Sequence, residues 1–364
     1  MRTLWETIIR RLAVVAAAGM LLVLLMGATV TTTESGEGCG RSWPLCHGEF
    51  IPAYTLDTAI EYSHRFVTGI EGIIIAVVAV GALVLRWRDR ALRVLVALMV
   101  GSLLLQAGMG AAAVMWPQQP AVMASHFGIS LVCFAATVLV ARVLGRTAAE
   151  RVAPGSTGSV FDGPGTSALA SGGPGGTGVA AGSGGTSPLA AGRPTPATAG
   201  ERPVPLGFRV LLGFTLVTVV AVAYLGAYMR HTESSLACAG WPGCDGRWQP
   251  SLTDPAGIVV SHRLAAMASV FLVAGLAWWA FNLRDHHPGL LDAHLLALVV
   301  ILAQALLGAA VVYSGLDYLM TLVHTGLMAI LFVCLCDNWP ILLPARNRAA
   351  RPVASAYPRA ATAR

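Results

Sequence analysis

Residues 39–65 read CGRSWPLCHGEFIPAYTLDTAIEYSHR, and residues 238–263 read CAGWPGCDGRWQPSLTDPAGIVVSHR. Adding 198 carries Trp43-Pro44 onto Trp241-Pro242, Cys46 onto Cys244, Gly48 onto Gly246 and Ser63-His64-Arg65 onto Ser261-His262-Arg263. The same shift carries Gln106 onto Gln304 and His126 onto His324. Ahead of the Trp-Pro pair the offset becomes 199, a one-residue gap. It then matches Thr33-Glu34-Ser35 to Thr232-Glu233-Ser234 and Cys39 to Cys238. So many matches in one register mark an internal repeat.

The chain around these motifs is apolar. Of its 364 residues 55% are hydrophobic and 12% charged, with a mean hydropathy of +0.68. Soluble domains carry roughly 25% charged residues, so a water-soluble enzyme is excluded. Eight apolar segments, at 12–30, 64–85, 92–115, 121–141, 207–229, 258–281, 290–313 and 321–338, approach the roughly 20 residues that cross a bilayer. Arg10 and Arg11 precede the first run as they would in a signal peptide. Its apolar core is too long for one, and no small-x-small site follows, so a retained helix is expected. The fold class is an all-α integral membrane protein with eight transmembrane helices in two four-helix bundles. Each half has an even number of spans, so the halves point the same way. They are related by a pseudo-two-fold axis along the membrane normal.

All 24 basic residues are Arg, and nineteen fall in 2–11, 86–93, 142–209, 284 and 346–364. Only Arg41, Arg65, Arg230, Arg247 and Arg263 lie on the other side. By the positive-inside rule both termini are cytoplasmic and the lipid bilayer is that of the cell membrane. The net charge of +6 therefore belongs to cytoplasmic loops and implies no nucleic-acid partner. The expected organisation is an N-terminal half, 1–146, and a C-terminal half, 206–342. Between them, 147–205 is rich in Gly, Pro, Ser and Ala and too poor in large apolar residues to order itself. An Arg-rich cytoplasmic tail, 343–364, follows, able to touch anionic headgroups.

Four histidines are duplicated: His64 and His126, then His262 and His324, 62 residues apart in each half. Each sits near the outer end of an even-numbered span, where an ionisable group is costly and usually functional. Two helices presenting imidazoles at one depth make a bis-His clamp for haem iron. One such His bonds a neighbouring helix about as often as it ligates; four in duplicate favour ligation. Copper or zinc would need a carboxylate or thiolate at that depth, which neither half offers. His47, His231, His286, His287 and His294 lack repeat partners and are read as solvated or interfacial.

The chain has seven cysteines. Cys39 and Cys46 share one outer loop, Cys238 and Cys244 another, and an oxidising face permits a disulfide in each. Two readings stand: caps over the sites below, which is preferred, or thiol–disulfide exchange. Cys133, Cys334 and Cys336 lie deep in spans as small hydrophobes. The halves differ at Glu61, which precedes His64 by three residues and whose counterpart is Val259. A carboxylate one turn from a ligand, in one half only, suits proton transfer. Alternatively, it pairs with Arg65 or caps a backbone donor. Arg65 and Arg263 suit haem propionates, and Gln106 and Gln304 suit interhelical hydrogen bonds. Chemistry is thus expected in the first half, electron transfer or a structural haem in the second.

Together, Glu61-Tyr-Ser-His64-Arg65, His126, Ser261-His262-Arg263, His324 and the Cys…Trp-Pro-x-Cys loops resemble the haem A synthase family. These membrane enzymes oxidise a methyl group of haem O to a formyl group. The resemblance covers both halves but not the linker or tail. It implies a low-spin haem b on His262 and His324, and haem O between His64 and His126 with Glu61 as the catalytic carboxylate. It also implies disulfides Cys39–Cys46 and Cys238–Cys244, as in the bacterial members. The reaction implied is two successive hydroxylations of the C8 methyl through an alcohol. Association with haem O synthase is implied too, and the electron acceptor is left open, a quinone among the candidates. The competing readings are a bis-His di-haem cytochrome of the b type and, further off, an outer-face thiol oxidoreductase.

Overall fold

The computed structural model describes residues 2–50, 52, 55–116, 119–146 and 204–342. Residues 147–203 of the linker and the whole tail lie outside the described residues. The first half contains α1 (Arg2–Thr32), α2 (Leu56–Arg86), α3 (Arg90–Met115) and α4 (Pro120–Gly145). The second contains α5 (Leu206–His231), α6 (Pro255–Asn282), α7 (Pro288–Tyr313), α8 (Tyr318–Cys336) and the single turn α9 (Trp339–Leu342). α1 to α8 are long and apolar enough to cross a membrane.

Polar caps set several helix starts. Thr55 accepts from the Thr58 N–H at 3.2 Å, and Asp57 sits in the first turn of α2, where the helix dipole favours an anion. α2 therefore begins eight residues ahead of its apolar run. The Asp89, Asp254 and Asp317 carboxylates cap α3, α6 and α8 by accepting from Leu92, Gly257 and Met320. α1 runs back to Arg2, ahead of the apolar segment. Its polar first turns are held by Glu6, which pairs with Arg10 at 2.6 Å and Arg86 at 3.4 Å. Arg86 also donates to the carbonyls of Val143 and Leu144 at 2.6 and 3.0 Å, closing the end of α4.

Within the first half, consecutive helices pack on one another and α4 closes back on α1; the second half repeats this with α5 to α8. Between the halves, α4 lies on α5, α1 on α8, and α4 on α8. Exchanging the halves turns the first contact into the second and leaves the third unchanged, which is the signature of a two-fold axis. The main core runs through this seam, with Met20, Leu131, Phe134, Leu139, Phe332 and Leu335 among its buried members. Arg142 pairs with Asp337 across one end of the seam, and Thr29 Oγ1 meets the Tyr318 hydroxyl at 3.1 Å across the other.

His294 departs from expectation. Read as interfacial, it is 0% exposed. Its Nδ1 donates to the Leu290 carbonyl at 2.7 Å and its ring stands edge-on to Phe208 of α5 at 5.2 Å. It is a core residue of the second half.

Candidate functional site

The loops after α1 and α5 fold alike. Glu34 and Glu233 leave the helices with φ of 58° and 54°. Gly48 and Gly246 take φ of 82° and 83°, a conformation in which a Cβ is strained. Single bridges join Cys46 to Glu49 and Cys244 to Arg247. Cys39 is bonded to Cys46, and Cys238 to Cys244. The duplication thus extends to backbone conformation.

Below these loops stand the four histidines. His64, His126, His262 and His324 lie six to eight residues inside α2, α4, α6 and α8, about 9–12 Å from the loop end of each helix. The imidazoles of each half, His64 with His126 and His262 with His324, are within electrostatic reach of one another. Each ring rests on a glycine of the preceding span. A Cβ at Gly27, Gly110, Gly226 or Gly308 would lie 3.3, 3.4, 2.9 or 3.1 Å from Cε1 of His64, His126, His262 or His324. Gly27 and Gly226 are 199 apart and Gly110 and Gly308 are 198 apart, the offsets of the repeat itself. Gly226→Ala should therefore push His262 off its seat, at a cost of about 1–3 kcal/mol for an overpacked methyl. The check is the haem content of the purified variant. It should fall in Gly226→Ala and stay near normal in Gly110→Ala, where the clearance is larger.

The ring nitrogens are poorly satisfied. His262 Nδ1 donates to the Val222 carbonyl at 3.2 Å, and the Gln304 amide stands 3.3 Å from His324 Nε2. Nδ1 of His64, His126 and His324 is buried with no hydrogen-bond partner. Buried, unpaired nitrogens in duplicated positions are costly.

Glu61 lies on α2, one turn before His64, and is 4% exposed. Its Oε2 accepts from the Cys39 N–H at 2.7 Å and its Oε1 pairs with Arg65. Arg65 Nη1 reaches the carbonyls of Ser42 and Leu45 at 2.7 and 3.1 Å. Arg263 does the same to Gly240 at 2.6 Å and to Gly243, the residues that the repeat aligns with Ser42 and Leu45. Both arginines, expected at propionates, thus hold the disulfide loops down. With Val259 in place of Glu61, Arg263 Nη2 is buried and unpartnered.

A family model described as cytochrome oxidase assembly protein matches residues 53–186 and 189–336. The chain belongs to this family. It is 35% identical over 320 residues to a haem A synthase of Symbiobacterium thermophilum, covering 88% of this chain and 90% of that one. It is 32% identical over 336 residues to a haem A synthase of Halalkalibacterium halodurans, covering 91% and 95%. A haem A synthase of Bacillus licheniformis is 33% identical over 346 residues, covering 93% and 97%. The family is one of membrane enzymes of haem A biosynthesis, as the sequence resemblance implied.

Two features escaped the sequence reading. The four glycines were accessible through the repeat offsets that reveal the histidines, but a glycine in an apolar span attracts no notice alone. Glu71, a buried carboxyl within α2, has no acidic counterpart in the second half and so no repeat signal.

Proposed function

We propose that this chain oxidises the C8 methyl of haem O to the formyl group of haem A by two successive hydroxylations. The alcohol formed first becomes a geminal diol that loses water. The observation that carries this reading is the asymmetry of a duplicated site: both halves present two glycine-seated imidazoles, and one half alone adds Glu61. On this reading residues 1–146 form the substrate half and 206–342 the cofactor half.

The residues of the second half fit a haem b. His262 has Nδ1 tied to a carbonyl, the arrangement that orients a ligating imidazole, and His324 is within its electrostatic reach. Arg263 Nη2, buried without a hydrogen-bond partner, fits a propionate better than Arg65, whose nitrogens serve Glu61 and the loop. When bound there, haem b supplies one-electron redox chemistry. In the first half, His64 and His126 hold the substrate by its iron. Glu61, oriented by the Cys39 N–H and Arg65, keeps a second lone pair on each carboxylate oxygen. It accepts the proton lost at the methyl or orients water toward it. The disulfide loops cover the site, on the outer face of the cell membrane if the arginine bias sets orientation. Haem O synthase would supply the substrate, and a quinone is a suitable electron acceptor.

Mass spectrometry of haems extracted from membranes that express this chain, with and without a haem O supply, tests the reading. Hydroxymethyl and formyl haems should appear only with both the chain and haem O. Unchanged haem O beside protein-bound haem b, where a known synthase succeeds, would instead mean a di-haem electron-transfer protein.

A further inference from the structure

Glu71 lies seven residues beyond His64 on α2, so the two share one helix face, about 10 Å apart along the axis and away from the disulfide loops. It is 3% exposed, and its Oε1 has no hydrogen-bond partner. By the 198 offset its counterpart is Ser269, whose hydroxyl is satisfied by the Ala265 carbonyl of its own helix at 3.0 Å. The carboxyl occupies space that only a glycine leaves open, because a Cβ at Gly19 of α1 would overlap it. Beside it, between α1 and α2, runs a groove of about 370 Å³ walled by Val15, Leu22, Ile70 and Ile74. Several of these wall residues are exposed on the outside of the bundle, so the groove opens toward lipid.

A single unpaired carboxyl oxygen in an otherwise apolar groove matches a ligand that is a long hydrocarbon bearing one hydroxyl. Haem O has such an appendage, a hydroxyethylfarnesyl chain on the porphyrin edge remote from its propionates. A haem O bound with its propionate edge toward the loops would direct that remote edge along α2 toward Glu71. We propose that Glu71 accepts the hydroxyl of the haem O side chain and that the α1–α2 groove takes the farnesyl portion. Glu71 is then the residue that distinguishes haem O from protohaem, which has the same iron and propionates but a vinyl group at that position. This rests on the reading that His64 and His126 hold haem O.

The test titrates the full-length holoprotein in lipid nanodiscs with haem O or with protohaem, following first-half ligation by the Soret difference spectrum. Glu71→Ser copies the residue the second half carries at this place, whose short hydroxyl bonds its own helix, and removes the carboxyl without adding bulk. It should weaken haem O binding roughly tenfold, the value of a hydrogen bond, and leave protohaem binding unchanged. Glu71→Gln retains an acceptor oxygen and should keep most of the preference. Gly19→Ala, which displaces the carboxyl, should act like Glu71→Ser. An unchanged ratio of haem O to protohaem affinity in Glu71→Ser, with haem O still ligated, overturns the inference and leaves the underlying reading intact. If haem O gives no ligation spectrum in the parent protein, or one that His64→Ala leaves unaltered, the underlying reading itself fails.

Discussion

Glu61→Gln should reduce haem A formation by about 10²–10⁴-fold, the range for a positioned acid–base group, while haem stays bound. The amide keeps an oxygen that can accept from the Cys39 N–H, which Glu61 Oε2 does at 2.7 Å, so the loop stays seated and the disulfide formed. What is lost is the proton acceptor and the ion pair with Arg65. The comparison with Glu61→Ala separates chemistry from architecture. A purely structural Glu61 predicts near-normal turnover in Glu61→Gln, and loss of both haem and loop order only in Glu61→Ala. Rates of haem A formation by extracted-haem analysis, set beside haem content, decide it. A normal rate in Glu61→Gln would refute the catalytic role.

His262→Ala and His324→Ala should each abolish the low-spin spectrum of the second half. Removing a supporting group around a metal ligand costs about 10–100-fold in affinity, and removing the ligand itself costs more. The expected loss of haem b affinity is therefore at least about 100-fold. First-half uptake of haem O should persist in both variants, because its imidazoles sit on separate glycines, Gly27 and Gly110. His64→Ala should show the reverse pattern. Optical and paramagnetic resonance spectra of the purified variants provide the measurement. Retention of the parent low-spin signal in His262→Ala would refute the assignment of the second-half ligands.

Much of this architecture was legible in the chain because membrane solvent imposes simple rules. Spans must be apolar, and a duplicated polar motif inside them stands out, so the four histidines and the cysteine pairs could be placed from offset alone, and Glu61 from its place one turn before His64. Helix starts were less visible. α2 begins at Leu56 and not near residue 64 because Thr55 and Asp57 supply a cap and a favourable charge, and hydropathy does not register capping. The use made of Arg65 and Arg263 was hidden for a different reason. Their acceptors are backbone carbonyls, at Ser42 and Leu45 in one half and Gly240 and Gly243 in the other, where no side chain is shared. His294 misled because its burial depends on Phe208, far away in sequence. Glu71 left no trace in the repeat, since its aligned partner is a serine.

The different environments of the two arginines bear on electron affinity. Of two sites alike in glycines and loops, one sets Glu61 beside its arginine, whereas in the other Arg263 Nη2 has no hydrogen-bond partner. Net charge near an iron centre is one of the levers on its reduction potential. On the proposed haem assignment, a carboxylate one turn from His64 would disfavour an added electron in the first half relative to the second. On that assignment, Glu61 opposite Val259 would give the duplicate a direction, with the oxidisable end at His64 and the electron-retaining end at His262.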